Sequence, residues 1–250
     1  MKSFSIALQF LSRIHIATQT VWSNEDFGRS VIWFPCIGTI IGIFLALVYT
    51  LVSYVFAPLY TAIIVVAAWV YITGGLHADG YMDTADGILS GRSRERMLEI
   101  LKDSRVGASG VMAFVFLVLL KIAFIANLPA PYAVSLLISI PTAARLGALV
   151  SIFAFPYARD QGLGRAFVAY QPKYVLWKGG ALALLPIVYV GPVHLIILGM
   201  GLLVSLVMNM RICRYLGGVT GDTYGAVIEG SELVLCGIGT ILYSLLFRLI

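Results

Sequence analysis

Six of the twelve acidic residues fall between positions 79 and 103: Asp79, Asp83, Asp86, Glu95, Glu99 and Asp103. The first three lie in His77-Ala78-Asp79-Gly80-Tyr81-Met82-Asp83-Thr84-Ala85-Asp86-Gly87 at i, i+4 and i+7. On a helix that spacing stacks three carboxylates on one stripe. Like charges so placed repel, which points to a bound cation. Oxygen-only donors suit Mg²⁺, an ion that keeps several waters and bridges one or two carboxylates to substrate phosphates. Asp79, Asp83 and Asp86 are therefore candidate metal ligands and catalytic residues. The competing reading is a solvated helix end with Asp79 near its N-terminus, but the triplet lacks the interleaved Lys and Arg of an ordinary surface. His77 is a candidate base or substrate contact, an interfacial histidine being the alternative.

In Ser93–Arg105, Met97, Leu98 and Leu101 form an apolar face and Ser93 is a predicted N-cap. The resulting amphipathic helix carries Glu99 and Asp103 one turn apart, where they would complete the cation site; the other reading is an ordinary solvated face of mixed charge on a cytoplasmic helix. Lys102 and Arg105 are placed to meet phosphate oxygens, for which the arginine fork is suited. A third segment, Leu216–Ala226, holds four glycines in nine residues. Exposed backbone N–H groups there would bind an anion, making Gly217, Gly218, Thr220, Gly221 and Asp222 candidate substrate contacts. No Gly-Lys-Ser/Thr follows, so it is not a P-loop, and close helix packing is the other explanation. Asp222, followed by Glu229 and Glu232, brings the functional reading level with the packing one. Arg145, inside Pro141–Gly147, sits in an apolar run where an unpaired charge is costly; a phosphate or a carboxylate of the stripe is its expected partner. Lys121 would snorkel, and Asp160–Arg165 is a polar loop.

The elements that carry these residues are apolar. The chain has 250 residues, 60% hydrophobic and 12% charged, with a mean hydropathy of +0.95. That charge content is about half of what soluble domains carry. Apolar runs near the length of a bilayer core predict an all-α polytopic membrane bundle of about seven helices, at roughly 33–56, 58–75, 108–126, 132–153, 175–190, 193–209 and 232–249. Connections after the first, third and fifth runs are short and uncharged. The others, with the N-terminal segment, hold fourteen of the seventeen Lys plus Arg. The positive-inside rule then puts the N-terminus and the long loops in the cytoplasm. All twelve acids fall on that face in this parse, giving a cytoplasmic acidic rim on a multi-pass protein of the cytoplasmic (inner) membrane. Topology explains the net charge of +5 without a nucleic-acid partner. Residues 1–30 read as an interfacial segment, because Arg13 interrupts the apolar stretch and no cleavage site follows. Cys36, Cys213 and Cys236 are predicted small buried hydrophobes. The chain is thus one membrane-embedded domain, 1–250, with an acidic motif over 77–107 and a glycine-rich motif over 211–230.

His77–Gly87, Lys102-Asp103-Ser104-Arg105-Val106-Gly107-Ala108 and Gly217-Gly218-Val219-Thr220-Gly221-Asp222, in that order, resemble the signatures of the cobalamin synthase family, the adenosylcobinamide-GDP ribazoletransferases. The likeness spans nearly the whole chain, including Phe34-Pro35 and Gly162-Leu163-Gly164. Ala78, where a larger apolar residue is common, and His15, where proline is expected, depart from the pattern. The resemblance implies a Mg²⁺-dependent membrane transferase. A hydroxyl of α-ribazole, or of its 5′-phosphate, would attack the cobinamide-side phosphorus of adenosylcobinamide-GDP and expel GMP. It assigns Asp79, Asp83 and Asp86 to the metal and diphosphate site, with Lys102, Asp103 and Arg105 lining it. Gly217, Gly218, Thr220, Gly221 and Asp222 would form a second substrate wall. Homo-oligomers and association with other cobalamin-pathway enzymes stay open. The chemistry agrees, since displacement at a diphosphate needs its charge neutralised by metal ions and Arg or Lys. One uncommitted carboxylate, Asp86 or Asp103, would accept the nucleophile's proton.

Two alternatives fit less of the chain. CDP-alcohol phosphotransferases share Asp83-Thr84-Ala85-Asp86-Gly87, but their pattern continues with Ala-Arg where this chain has Ser90-Gly91. A secondary transporter would place ionisable groups in broken helices near the midplane and show internal repeats, neither of which the charge distribution here displays.

Overall fold

The computed structural model describes residues 2–16, 22–128, 130–159 and 162–248. Asp160 and Gln161 of the polar loop, and part of the 1–30 segment, lie outside them. The helices in chain order are α1 (Lys2–Leu11), α2 (Asn24–Ser30), α3 (Phe34–Ser53), α4 (Pro58–Thr73), α5 (Leu76–Leu89), α6 (Arg94–Ile100), α7 (Ala108–Ala126), α8 (Ala130–Ala154), α9 (Leu163–Ala169), α10 (Val175–Leu184), α11 (Ile187–Val190), α12 (Val193–Leu216) and α13 (Gly221–Arg248). A single helical turn, Val31–Trp33, joins α2 to α3.

Five helical stretches are long and apolar enough to cross a membrane, and six if α4 and α5 count as one bent span. The chain is a multi-pass all-α membrane bundle. Three of the seven expected runs differ, α12 running on to Leu216, seven residues past its expected end at 209. The run at 175–190 is split into α10 and α11, with Pro186 as the residue before α11. The last span begins eleven residues earlier than expected, because Thr220 caps α13 and the helix runs unbroken from Gly221. Thr220 Oγ1 accepts from Thr223 N–H at 3.3 Å while Thr223 Oγ1 accepts from Thr220 N–H at 2.7 Å, a reciprocal cap that satisfies two N-terminal donors.

Helix α8 is the axis, packed by α3, α12 and α13 and buried along most of its length. Gly38 and Gly42, a G-x-x-x-G pair on α3, lie against the α8 backbone at Pro141–Thr142 and Ile138, where a side chain would not fit. Small residues at such a crossing let two backbones approach and gain van der Waals contact that lipid alone would not supply. Thr39 Oγ1 and Thr142 Oγ1 meet at 3.0 Å across it. Helix α1 buries Ile6, Ala7, Leu8 and Leu11, so the N-terminal segment packs on the bundle beside α2 and α3.

One corner positions the acidic motif. Gly74 and Gly75 both adopt left-handed backbone (φ +66° and +73°), which glycine does without steric cost. They stop α4 and turn α5 through 92°. Helix α5 therefore does not continue the α4 span but runs across it, packed on α13 and α7.

Candidate functional site

Helix α5 begins at the corner with His77 and Asp79 in its first turn. Gly80 lies so close to α13 that a Cβ there would come within 2.5 Å of Asp222 O; likewise Gly225 faces the His77 backbone. The two glycines bring the acidic motif and the glycine-rich motif together. Between them and α1, α3 and α9 is a cavity of about 250 Å³. One part of its wall is polar: His77, Asp79, Tyr157, Arg159, Asp222 and Tyr224. Another part is aromatic and aliphatic: Phe10, Leu11, Phe34, Leu76, Phe167 and Ile228. On α13, Gly221, Tyr224, Gly225 and Ile228 follow i, i+3, i+4, i+7 and present one face to it.

Arg159 reaches this wall because its loop is fastened to the glycine-rich segment. Ala158 N–H donates to Val219 O and Val219 N–H to Pro156 O, each at 2.8 Å, a short parallel bridge. The backbones come this near because residue 218 is glycine: a Cβ would lie 2.5 Å from Pro156 O. Arg159 Nη2 then sits 2.8 Å from Asp222 Oδ2. Tyr157, on the same bridge, packs its ring over Gly164.

Asp83 stands in the field of Asp79, Asp222 and Asp86. Partial burial, followed by those three charges, pushes its carboxyl up to about 7, against a lowering by Arg159. Asp79, Asp83 and Asp222 near the single Arg159 guanidinium leave an excess of carboxylates, and every acidic donor is oxygen. Among the described residues no three His, Cys, Asp or Glu side chains converge into a ready-made metal site.

Asp86 accepts from Gly107 N–H at 2.7 Å and Gly110 N–H at 2.8 Å, so it caps α7, where the helix dipole favours a negative charge. Asp103 is held by Arg105 in an exposed pair, Nη2 to Oδ2 at 2.6 Å, and that guanidinium draws its carboxyl down to about 2. Glu99 pairs with Arg96 on the exposed face of α6 at 2.6 Å, and Lys102 is exposed. Glu99, Asp103, Lys102 and Arg105 line neither the cavity nor its acidic margin. Gly217 is the left-handed stop of α12 (φ +72°), with the Arg94 guanidinium packed where a Cβ would be. Gly218 serves the bridge and Thr220 the α13 cap; Gly221 and Asp222 reach the cavity.

Arg145 is fully buried and pairs with Glu232, not with a carboxylate of the stripe. Its Nη2 faces His77 Nδ1 at 3.4 Å. Lys121, expected to snorkel, is instead buried: its Nζ contacts Glu229 Oε2 at 2.6 Å and Glu232 Oε2 at 2.7 Å, 4.5 Å above the Trp69 ring. Glu229 and Glu232 were placed on the cytoplasmic rim by the sequence parse; they lie two to three turns inside α13, because Lys121 and Arg145 on α7 and α8 balance their charge at depth. Arg159 and the phenylalanine wall also escaped the sequence reading. The signal for Glu229 and Glu232 was there, as acids and bases of opposite sign embedded in separate apolar runs.

The family model described as Cobalamin-5-phosphate synthase matches residues 3–240. An adenosylcobinamide-GDP ribazoletransferase of Brevibacillus brevis is 39% identical over 94% of this chain and 96% of its own. Proteins of the same name from Desulfitobacterium hafniense (40%, covering 97% and 98%) and Acinetobacter baumannii (39%, covering 94% and 95%) are similar to it as well. No solved structure matches the chain.

Proposed function

The chain belongs to the cobalamin-5-phosphate synthase family, and from that membership we propose that it is an adenosylcobinamide-GDP ribazoletransferase. A hydroxyl of α-ribazole, or of its 5′-phosphate, attacks the cobinamide-side phosphorus. The new P–O bond forms as the bridging P–O bond to GMP breaks, and the hydroxyl proton passes to a carboxylate. The observation that carries this reading is the meeting of Asp79 and Asp222, from two separate motifs, with Arg159 in one cavity.

The residues fit a hard divalent cation. Asp79 and Asp222 supply oxygen donors with excess negative charge, and Mg²⁺ takes one or two protein carboxylates, filling its other positions with water and phosphate oxygens. When bound it would neutralise diphosphate charge. Arg159 adds a fork for phosphoryl oxygens. Asp83, whose carboxyl is pushed up to about 7, is the group best matched to take a proton near neutral pH. Asp86 and Asp103, engaged with α7 and Arg105, act as supports.

The bias of Lys and Arg to one set of loops supports a cytoplasmic-facing site in the cytoplasmic membrane. The test supplies the purified protein with adenosylcobinamide-GDP, α-ribazole or its phosphate, and Mg²⁺. GMP release that stops with EDTA and returns with Mg²⁺ is the expected result. CMP release from CDP-diacylglycerol and an acceptor alcohol, without GMP from the corrinoid, would transfer the chain to the alcohol phosphotransferases. Metal-independent turnover would remove the cation.

A further inference from the structure

We infer that the groove between α4 and α7 binds one anionic phospholipid, a single tail lying along the groove and the phosphate on Arg13. The groove holds about 580 Å³. Ile63, Ala67 and Val70 of α4, at i, i+4 and i+7, line it together with Phe114, Val118 and Ile122 of α7, at i, i+4 and i+8. One stripe from each helix thus makes a trough with two apolar sides. From Ile63 to Gly74 it runs roughly 16 Å along the helix axis. That is about half of a hydrocarbon core of about 30 Å, the reach of one lipid tail.

One end of the trough is charged. Arg13, Tyr71, Gly74 and Gly75 line it beyond Val70. Three contacts fix the arginine there. Its backbone N–H donates to Ile72 O at 2.7 Å. Its Cγ and Nε lie alongside Gly74, 3.5 Å from where a Cβ would stand. Its guanidinium carbon is 5.0 Å from the Tyr71 ring centroid, within cation–π range. Yet no carboxylate of the described residues pairs with it, and the residue is exposed. A full positive charge on a fork of N–H donors therefore stands at the end of an apolar channel. Gly75 leaves the mouth open, since a Cβ there would meet nothing within 4 Å.

These features choose among occupants. An apolar helix from a second copy would cover the guanidinium with hydrocarbon and no counter-charge, a costly arrangement in a membrane. A free phosphate would leave the trough empty. A phospholipid supplies both parts, anionic oxygens for the fork and a chain for the trough. A headgroup with net negative charge is favoured over a zwitterionic one, whose own cation competes with Arg13 for the phosphate. The occupant lies against the glycine corner that turns α5, so the lipid and the acidic motif share one structural joint.

The test is native mass spectrometry of the delipidated full-length chain in detergent, given phosphatidylglycerol, phosphatidylcholine with the same tails, or glycerol 3-phosphate. The wild-type chain should retain one phosphatidylglycerol with about fivefold preference over phosphatidylcholine, the scale of one basic residue at a lipid surface, and no glycerol 3-phosphate. Arg13→Gln should abolish the preference. Ala67→Phe, at an exposed position, fills the trough and should weaken both lipids with Arg13 intact. Equal retention of the two lipids by the wild-type chain, a comparison that needs no variant, would overturn the inference. Unchanged phosphatidylglycerol retention in Ala67→Phe would do so too, reducing Arg13 to an interfacial cation without a tail site. Glycerol 3-phosphate bound as tightly as the lipid would make this a site for free phosphate. Lipid-free dimers that Ala67→Phe splits would give the trough to a second copy.

Discussion

Arg159 Nη2 lies 2.8 Å from Asp222 Oδ2, joining the loop after α8 to the first turn of α13 across the cavity. The pair holds the Arg159 guanidinium against the acidic cluster. Arg159→Gln should lower kcat/KM by roughly 10²- to 10³-fold, the scale on which a preorganised charge contact to a transferring group acts. Arg159→Lys should recover part of it, because the charge returns without the fork. GMP release at varied substrate concentration reads both; an activity near wild type for the glutamine variant would remove Arg159 from the mechanism.

Lys121 sits between Glu229 and Glu232 inside the bundle. Lys121→Met leaves two buried carboxylates without their ammonium, a loss of about 3–5 kcal/mol. The melting temperature in detergent should drop sharply. Adding Glu229→Gln to that variant should restore part of the loss, since fewer unpaired charges remain. A double variant less stable than Lys121→Met would show that Glu229 has a stabilising partner other than Lys121.

Asp83 has its carboxyl pushed up to about 7 from 3.8. The folded protein therefore holds a proton that the unfolded chain releases between about pH 4 and 7, so metal-free stability is greatest below pH 4 from this group and is lost as pH rises through 7. Asp83→Asn should flatten the fall of melting temperature over that window and make the metal-free protein more stable than wild type at pH 8. Mg²⁺ should also raise stability most at the alkaline end. A metal-free melting curve independent of pH over the window would refute the crowding of charge around Asp83.

Gly217 tests whether the glycine-rich segment binds substrate throughout. With φ +72° and Arg94 against it, Gly217→Ala should cost about 1 kcal/mol of stability while leaving KM for both substrates unchanged. A raised KM with unaltered melting temperature would return Gly217 to the substrate wall.

The membrane bundle and the clustering of acids were legible because both are local: apolar runs and carboxylate spacing are properties of short segments. The role of each acid was not. Asp86 shares a stripe with Asp79 and Asp83 in sequence, yet its partners are backbone donors on α7, a helix whose position depends on packing. Arg159 looked like one more loop cation until the bridge between Ala158 and Val219 fixed it. Phe10 and Phe167 gave no signal, since nothing in their own segments announces that they converge with Phe34. Arg145 was visible as an anomaly; its partner was not, because Glu232 had been read as part of the rim.

Helix α4 has 16 residues before the glycine corner, about 24 Å of rise against a hydrocarbon thickness of about 30 Å. Lipid beside it must thin or the helix must draw the interface inward. Either response would bring the leaflet surface down toward α5, and the host bilayer's thickness would then set how deep that helix rides.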